Sequence, residues 1–165
     1  MQSSSSLESF LKVLKSFEIG MLVTHDSGHG LHGRPMAIAD VEDQGNVWFI
    51  TSDDTAKIDE IAQDASVLVV CQEGWTSSLT LSGRATLHRD RAKIREIWKP
   101  SYKVWFPDGV DDPKITLIRV EGERGEYWDN SGFNRLVYFY ETIKAFVTGK
   151  EAEVKEGVQH DKVTL

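Results

Sequence analysis

Four residues of this 165-residue chain have the types and spacing to hold an anion: Arg34, Thr51, Thr55 and Lys57. Arg34, in the run Arg34-Pro35-Met36, lies on a segment that reads as a strand, and Thr51 ends the next one. A short helix is expected to begin within a few residues of Thr51. Its free backbone N–H groups and the positive end of its dipole then point back at that strand end. Lys57 falls in the first turn of this helix, where its ammonium can reach the same spot. A guanidinium fork, an ammonium and two hydroxyls are the donors a terminal phosphate requires. The segment also reads as an ordinary helix cap. Ser52, Asp53 and Thr55 are good capping residues, and Arg34 can pair with Asp53 or Asp54. Those two carboxylates oppose an anion unless they point away.

Aromatic residues form a second group. Trp75, Trp98, Trp105, Phe106, Tyr127 and Trp128 fall at expected strand ends or in loops, where large rings either close a pocket over a flat ligand or close the core. His25, His29 and His32 lie close together, but a glycine-flanked turn scatters them and no cysteine completes a metal site. The acidic loop Asp108, Asp111 and Asp112 lacks the spacing of a calcium loop and reads as a solvated turn. No nucleophile-elbow motif supports hydrolase chemistry. No Gly-x-Gly-x-x-Gly follows a strand, which argues against a Rossmann site. No side chain stands out as a catalytic acid or base, so no catalytic residue and no metal ligand is assigned.

The elements that must position these residues follow from periodicity. Ser5 and Glu8 have capping-box spacing, and Leu7, Phe10, Leu11, Leu14 and Phe17 make one apolar helical stripe. Strands are expected over 19–25, 31–41 and 47–51, then a short helix over 54–62. The run 67–72 is continuously apolar, as for a strand buried on both faces. The run 76–87 alternates, with Gly83 a plausible bulge. Asp90 caps a helix ended by Pro100, and 102–113 is an irregular loop. Segments 115–121 and 123–128 read as a hairpin around Gly122, and Asn134 caps a last helix over Leu136, Tyr140, Ile143 and Val147, ended by Gly149. The expected fold is mainly β with peripheral helices: a six-stranded antiparallel split β-barrel with Greek-key halves. Residues 1–150 form its domain, and 151–165 a polar C-terminal tail.

Composition narrows the partners. A net charge of −7 disfavours general binding to nucleic acid or anionic membrane. The lone cysteine, Cys71, lies in an apolar run and reads as a buried, inert thiol. Without a membrane-length apolar run or a signal-peptide pattern, a soluble cytoplasmic location is the expectation.

Arg34-Pro35-Met36, Phe49-Ile50-Thr51 and Lys57, in that order, resemble the pyridoxamine 5′-phosphate oxidase-like FMN-binding split barrels. Trp105-Phe106-Pro107-Asp108-Gly109, Gly125-Glu126-Tyr127-Trp128-Asp129 and Thr148-Gly149-Lys150 make the chain most similar to the general stress protein 26 group. The resemblance implies a homodimer with FMN in clefts at the subunit interface, and a small-molecule ligand. It implies that Arg34, Thr51, Thr55 and Lys57 hold the phosphate and ribityl chain. Pro35, Met36, Phe49 and Ile50 would lie along the flavin, and Trp105 and Trp128 would approach the ring from the partner. Three departures point away from vitamin B6 oxidation. Ala56 precedes Lys57 where the oxidases have a second basic residue, the region near Ser78 lacks their glutamine, and Asn134-Arg135-Leu136-Val137-Tyr138 lacks their terminal Arg-x-His-Asp-Arg signature. The resemblance thus implies an FMN-binding protein that is either a flavin-dependent oxidoreductase or a non-catalytic flavin carrier or sensor. Haem in the same fold is a third reading.

Overall fold

The structure is a computed structural model that describes residues 4–129 and 159–165. In chain order the elements are α1 (Ser4–Leu14), β1 (Ile19–Asp26), β2 (Gly30–Val41), β3 (Val47–Ser52), α2 (Ala56–Gln63), β4 (Ser66–Glu73), β5 (Ser77–His88), α3 (Arg91–Ile97), β6 (Ile115–Asp129) and β7 (Gln159–Thr164). Two 3₁₀ turns, Pro100–Val104 and Gly109–Asp111, link α3 to β6. Asp90 caps α3 as expected, accepting from the amides of Ala92 and Lys93. The expected helix from Asn134 to Gly149 lies outside the described residues.

The strands run in the order β3-β2-β1-β4-β5-β6-β7, and β3 also pairs with β6. That pairing closes six antiparallel strands into the expected barrel, with β7 added on the outer edge of β6. Alternating side chains fill the interior: Leu22, Ile38, Val47, Phe49, Val69, Leu79, Leu81 and Ile118 pack together with Phe10, Leu14 and Phe17 from the N-terminal segment. A second apolar cluster lies outside the barrel wall. There α3 and the 3₁₀ turns bring Ile94, Ile97, Tyr102 and Phe106 onto Trp48, Ile50, Ile115 and Leu117.

Four expectations need correction. The strand buried on both faces is β3, which α3 and the 3₁₀ turns cover; in β4 only Val67, Val69 and Cys71 are buried, while Leu68 and Val70 on the other face stay half-exposed. The expected hairpin at Gly122 is one continuous strand, β6, paired with β5 from Leu117 to Asp129. Gly122 serves close packing instead of a turn: a Cβ there would lie 2.6 Å from Leu165 and 2.9 Å from Leu81. The segment 159–164, read as polar tail, pairs with β6 because Val163 faces the core, 2% exposed. Finally, α1 begins at Ser4, one residue before the expected cap at Ser5. The bulge at Gly83 is present as a register shift between Ser82 and Gly83, where a Cβ would fall 2.0 Å from the Glu121 carbonyl oxygen.

Candidate functional site

The barrel wall opens between β2 and β3. The two strands pair only from Ile38 to Val41 against Val47 to Phe49. Before Ile38, residues 34–37 pair with β1 alone, and beyond Phe49, residues 50–52 pair with β6 alone. The strands therefore part toward one end, leaving a cleft with an unladdered backbone edge on each side. At that end α2 packs against β1 and β5, presenting Lys57, Glu60 and Ile61 as its buried face.

Lys57 is buried, 9% exposed, and its ammonium makes no hydrogen bond or ion pair with the described residues. Burial first, then the charge of Arg34, lowers its pKa below the usual lysine value, with Glu60 and Asp54 partly opposing. Thr55 is the N-cap residue of α2, but its hydroxyl donates to the Ser52 carbonyl at 2.9 Å and makes no capping bond. Among the described residues the first amides of α2 thus have no side-chain acceptor.

The feared carboxylates are neutralised from outside the cleft. Asp53 pairs with Arg89 and Asp54 with Lys114, each at 3.1 Å. Arg34 pairs with neither. Its Nη1 donates to Thr24 Oγ1 at 2.7 Å, and its Nη2 donates to Glu60 Oε2 and to His32 Nδ1, both at 2.6 Å. Glu60 also accepts from the Thr24 hydroxyl. Burial opposes the ionisation of Glu60, but the bonds from Thr24 and Arg34 outweigh it and hold its pKa below the usual carboxylate value.

Thr51 and Thr116 are register partners on β3 and β6, both buried. Each alternates with residues of the interior cluster, Phe49 and Ile118, so both side chains face into the barrel. Thr116 Oγ1 is fully buried with no hydrogen-bond partner among the described residues. An orphaned hydroxyl of this kind is a group a ligand or an ordered water can satisfy.

The remaining sequence-derived residues divide. Pro35 is exposed and opposite Met21, while Met36 packs partly buried against the interior cluster. Phe49 places its side chain wholly inside the barrel, and Ile50 packs in the outer cluster, so these two can offer a ligand only backbone groups. Trp105 is 62% exposed, and it tilts against Tyr102 with ring centroids 6.1 Å apart. Trp128 stacks flat on His160, centroids 4.9 Å apart, and His160 Nε2 bonds Glu126 at 2.7 Å. Phe106 and Tyr127 are core residues. Sequence reasoning missed Thr24, His32, Glu60 and Thr116. Two had a signal: His32 and Arg34 share a strand face at a spacing of two, and Glu60 lies one helical turn beyond Lys57.

Among the described residues no three of His, Cys, Asp and Glu gather as metal ligands, and no helix is long and apolar enough to cross a membrane. Residues 5–153 match the family described as pyridoxamine 5′-phosphate oxidase like. Protein bli-3 of Neurospora crassa is 28% identical over 166 residues, 94% of this chain and 78% of the relative. General stress protein 26 of Bacillus subtilis is 27% identical over 68% of this chain and 81% of its own length. Among solved structures, the general stress FMN/FAD binding protein of Xanthomonas citri is 30% identical, with a TM-score of 0.67 over 78% of this chain and 91% of that one.

Proposed function

The chain belongs to the pyridoxamine 5′-phosphate oxidase like family, and on that premise we propose that it binds FMN between β2 and β3 as a flavin-dependent oxidoreductase of the general stress type. Lys57 carries the reading: a buried ammonium, unpaired among the described residues, at the foot of an open cleft whose outlying carboxylates are already neutralised. Such a group, next to uncapped helix amides, fits a terminal phosphate, which favours FMN over a dinucleotide. Arg34 supports the same anion with the N–H groups its three bonds leave over, and Thr51, Thr55 and Thr116 supply hydroxyls for the phosphate and ribityl chain. The edges at Arg34-Pro35-Met36 and Ile50-Thr51 offer backbone groups to the ring, and Phe49 supports that edge from the core.

The flavin supplies the hydride or electron chemistry when bound. The chain's part is to fix the phosphate, hold the ring against two strand edges and exclude water around it. We assign no vitamin B6 oxidation, because Ala56 stands where that reaction's second phosphate cation belongs. A second copy of the chain completes the site in this reading. The outer face of β1, β2 and β4 carries Ile19, Met21 and Leu31, exposed by 61%, 40% and 79%, beside half-exposed Leu68 and Val70. A contiguous apolar face of this kind suits a homodimer contact, across which we assign Trp105 and Trp128 to the partner's ring.

The test is a visible absorption spectrum of the protein purified without added cofactor, then an FMN titration followed by flavin fluorescence. Saturable quenching is expected; a folded protein that leaves FMN fluorescence unchanged overturns the reading. A carrier or sensor is the second reading. It is favoured because Glu60 and His32 are already engaged with Arg34, so neither is free to act as an acid or base. Bleaching of the bound flavin by a reduced nicotinamide or deazaflavin separates the two.

A further inference from the structure

Resting on the flavin reading above, we propose that Glu60 limits how tightly the cleft holds a phosphate ester, and so keeps the bound flavin exchangeable. Asp53 and Asp54, just before α2, and Glu60, within it, differ in what neutralises them. Asp53 and Asp54 take their counter-ions, Arg89 and Lys114, from outside the cleft. Glu60 takes Arg34, a cation of the site itself.

The charge of Glu60 also reaches Lys57. The two lie one helical turn apart on the buried face of α2. The cluster therefore offers an incoming phosphate two cations less one fixed carboxylate, in a partly buried setting where each charge counts for more than in water. Without that carboxylate both cations would act on the phosphate together.

The geometry does not need the negative charge. Thr24 and Arg34 only donate to the Glu60 side chain, and an amide oxygen accepts the same bonds. His32 Nδ1, which accepts from Arg34 Nη2 at 2.6 Å, asks no bond of the Glu60 Oε1 position 3.3 Å away. A glutamine at this position thus keeps the frame and removes the charge. This separates an electrostatic role from a structural one.

The experiment is a fluorescence titration of wild-type and Glu60→Gln proteins with FMN and with riboflavin, which lacks the phosphate. Glu60→Gln is expected to lower the FMN Kd about tenfold, the scale of one charge-assisted hydrogen bond, to slow FMN dissociation, and to leave riboflavin binding unchanged. Unchanged or weaker FMN binding overturns the proposal, and so does equal tightening of riboflavin. Glu60→Asp keeps the charge and should stay within about threefold of wild type; tightening like that of glutamine overturns the proposal. The wild-type protein gives a reading that needs no variant. FMN should exceed riboflavin in affinity by about 100-fold or less, and a ratio above about 10,000 means the phosphate is held by uncompensated cations, overturning the proposal. Wild-type protein that binds neither flavin removes the flavin reading and this inference with it. FMN binding that ignores Glu60→Gln removes this inference alone.

Discussion

Keeping a lysine nine-tenths buried with no counter-ion of its own among the described residues lowers the stability of a fold, because desolvation disfavours its charge. Lys57→Met keeps the aliphatic stem and removes that charge. It is expected to hold or raise Tm in calorimetry, while weakening FMN binding by about 1.5–3 kcal/mol in titration. A drop in Tm with unchanged affinity would make Lys57 an ordinary packing residue. Glu42 shows the opposite case, a charge the fold has fully satisfied. Its burial disfavours ionisation, yet hydrogen bonds from Arg119, Asn46 and Trp48 bring its pKa down to about 2. A lowered carboxylate pKa contributes stability above the unfolded-state value, and that contribution is lost as pH falls through the folded one. Chemical denaturation of wild type should therefore lose on the order of 2 kcal/mol between about pH 4.5 and 2 through this group. Glu42→Gln should be less stable at neutral pH and lose correspondingly less across that window.

At the scale of elements, the strands and helices were legible wherever one periodicity ruled a segment. The stripe of α1, the Asp90 cap and the Gly83 bulge could all be read from residue types alone. β6 misled because a glycine between two apolar runs signals a turn, whereas Gly122 answers to Leu81 and Leu165, neighbours that only the folded sheet brings there. β7 was hidden because a single strand with Val163 as its core contact looks like tail until its partner is known. That Arg34 and Lys57 lie near each other was legible, since cations near a strand end and a helix start are local features. Thr24 and Thr116 were not, because their significance lies in which distant side chains they meet or fail to meet. Gly125 makes the same point about docking. A Cβ there would fall 2.3 Å from the Phe10 ring, which α1 lays against β6. Gly125→Ala should cost about 1–3 kcal/mol in urea denaturation, and Phe10→Leu in the same protein should restore part of it. Full stability of the single variant would show that α1 shifts freely on the barrel.

At the scale of the whole molecule, the barrel buries its interior and one outer flank but leaves the β1–β2–β4 flank apolar and open. Leu68→Arg puts a charge on that flank without entering the core. Sedimentation is expected to show a dimer for wild type and a monomer for the variant, with FMN affinity reduced in parallel if the partner completes the site. A dimer that survives the substitution places the contact elsewhere. The parted strands have a consequence of a different kind. Two unladdered edges are an invitation to a strand from another molecule, the usual first step toward aggregation. The amide of Ile38 points to the β1 side, where it reaches the Glu18 carbonyl at 2.9 Å. Alternation turns position 35 the opposite way, onto the open edge. The residue there is proline, which has no N–H to offer. Pro35 therefore removes one donor from an edge that would otherwise be open to a strand of another molecule.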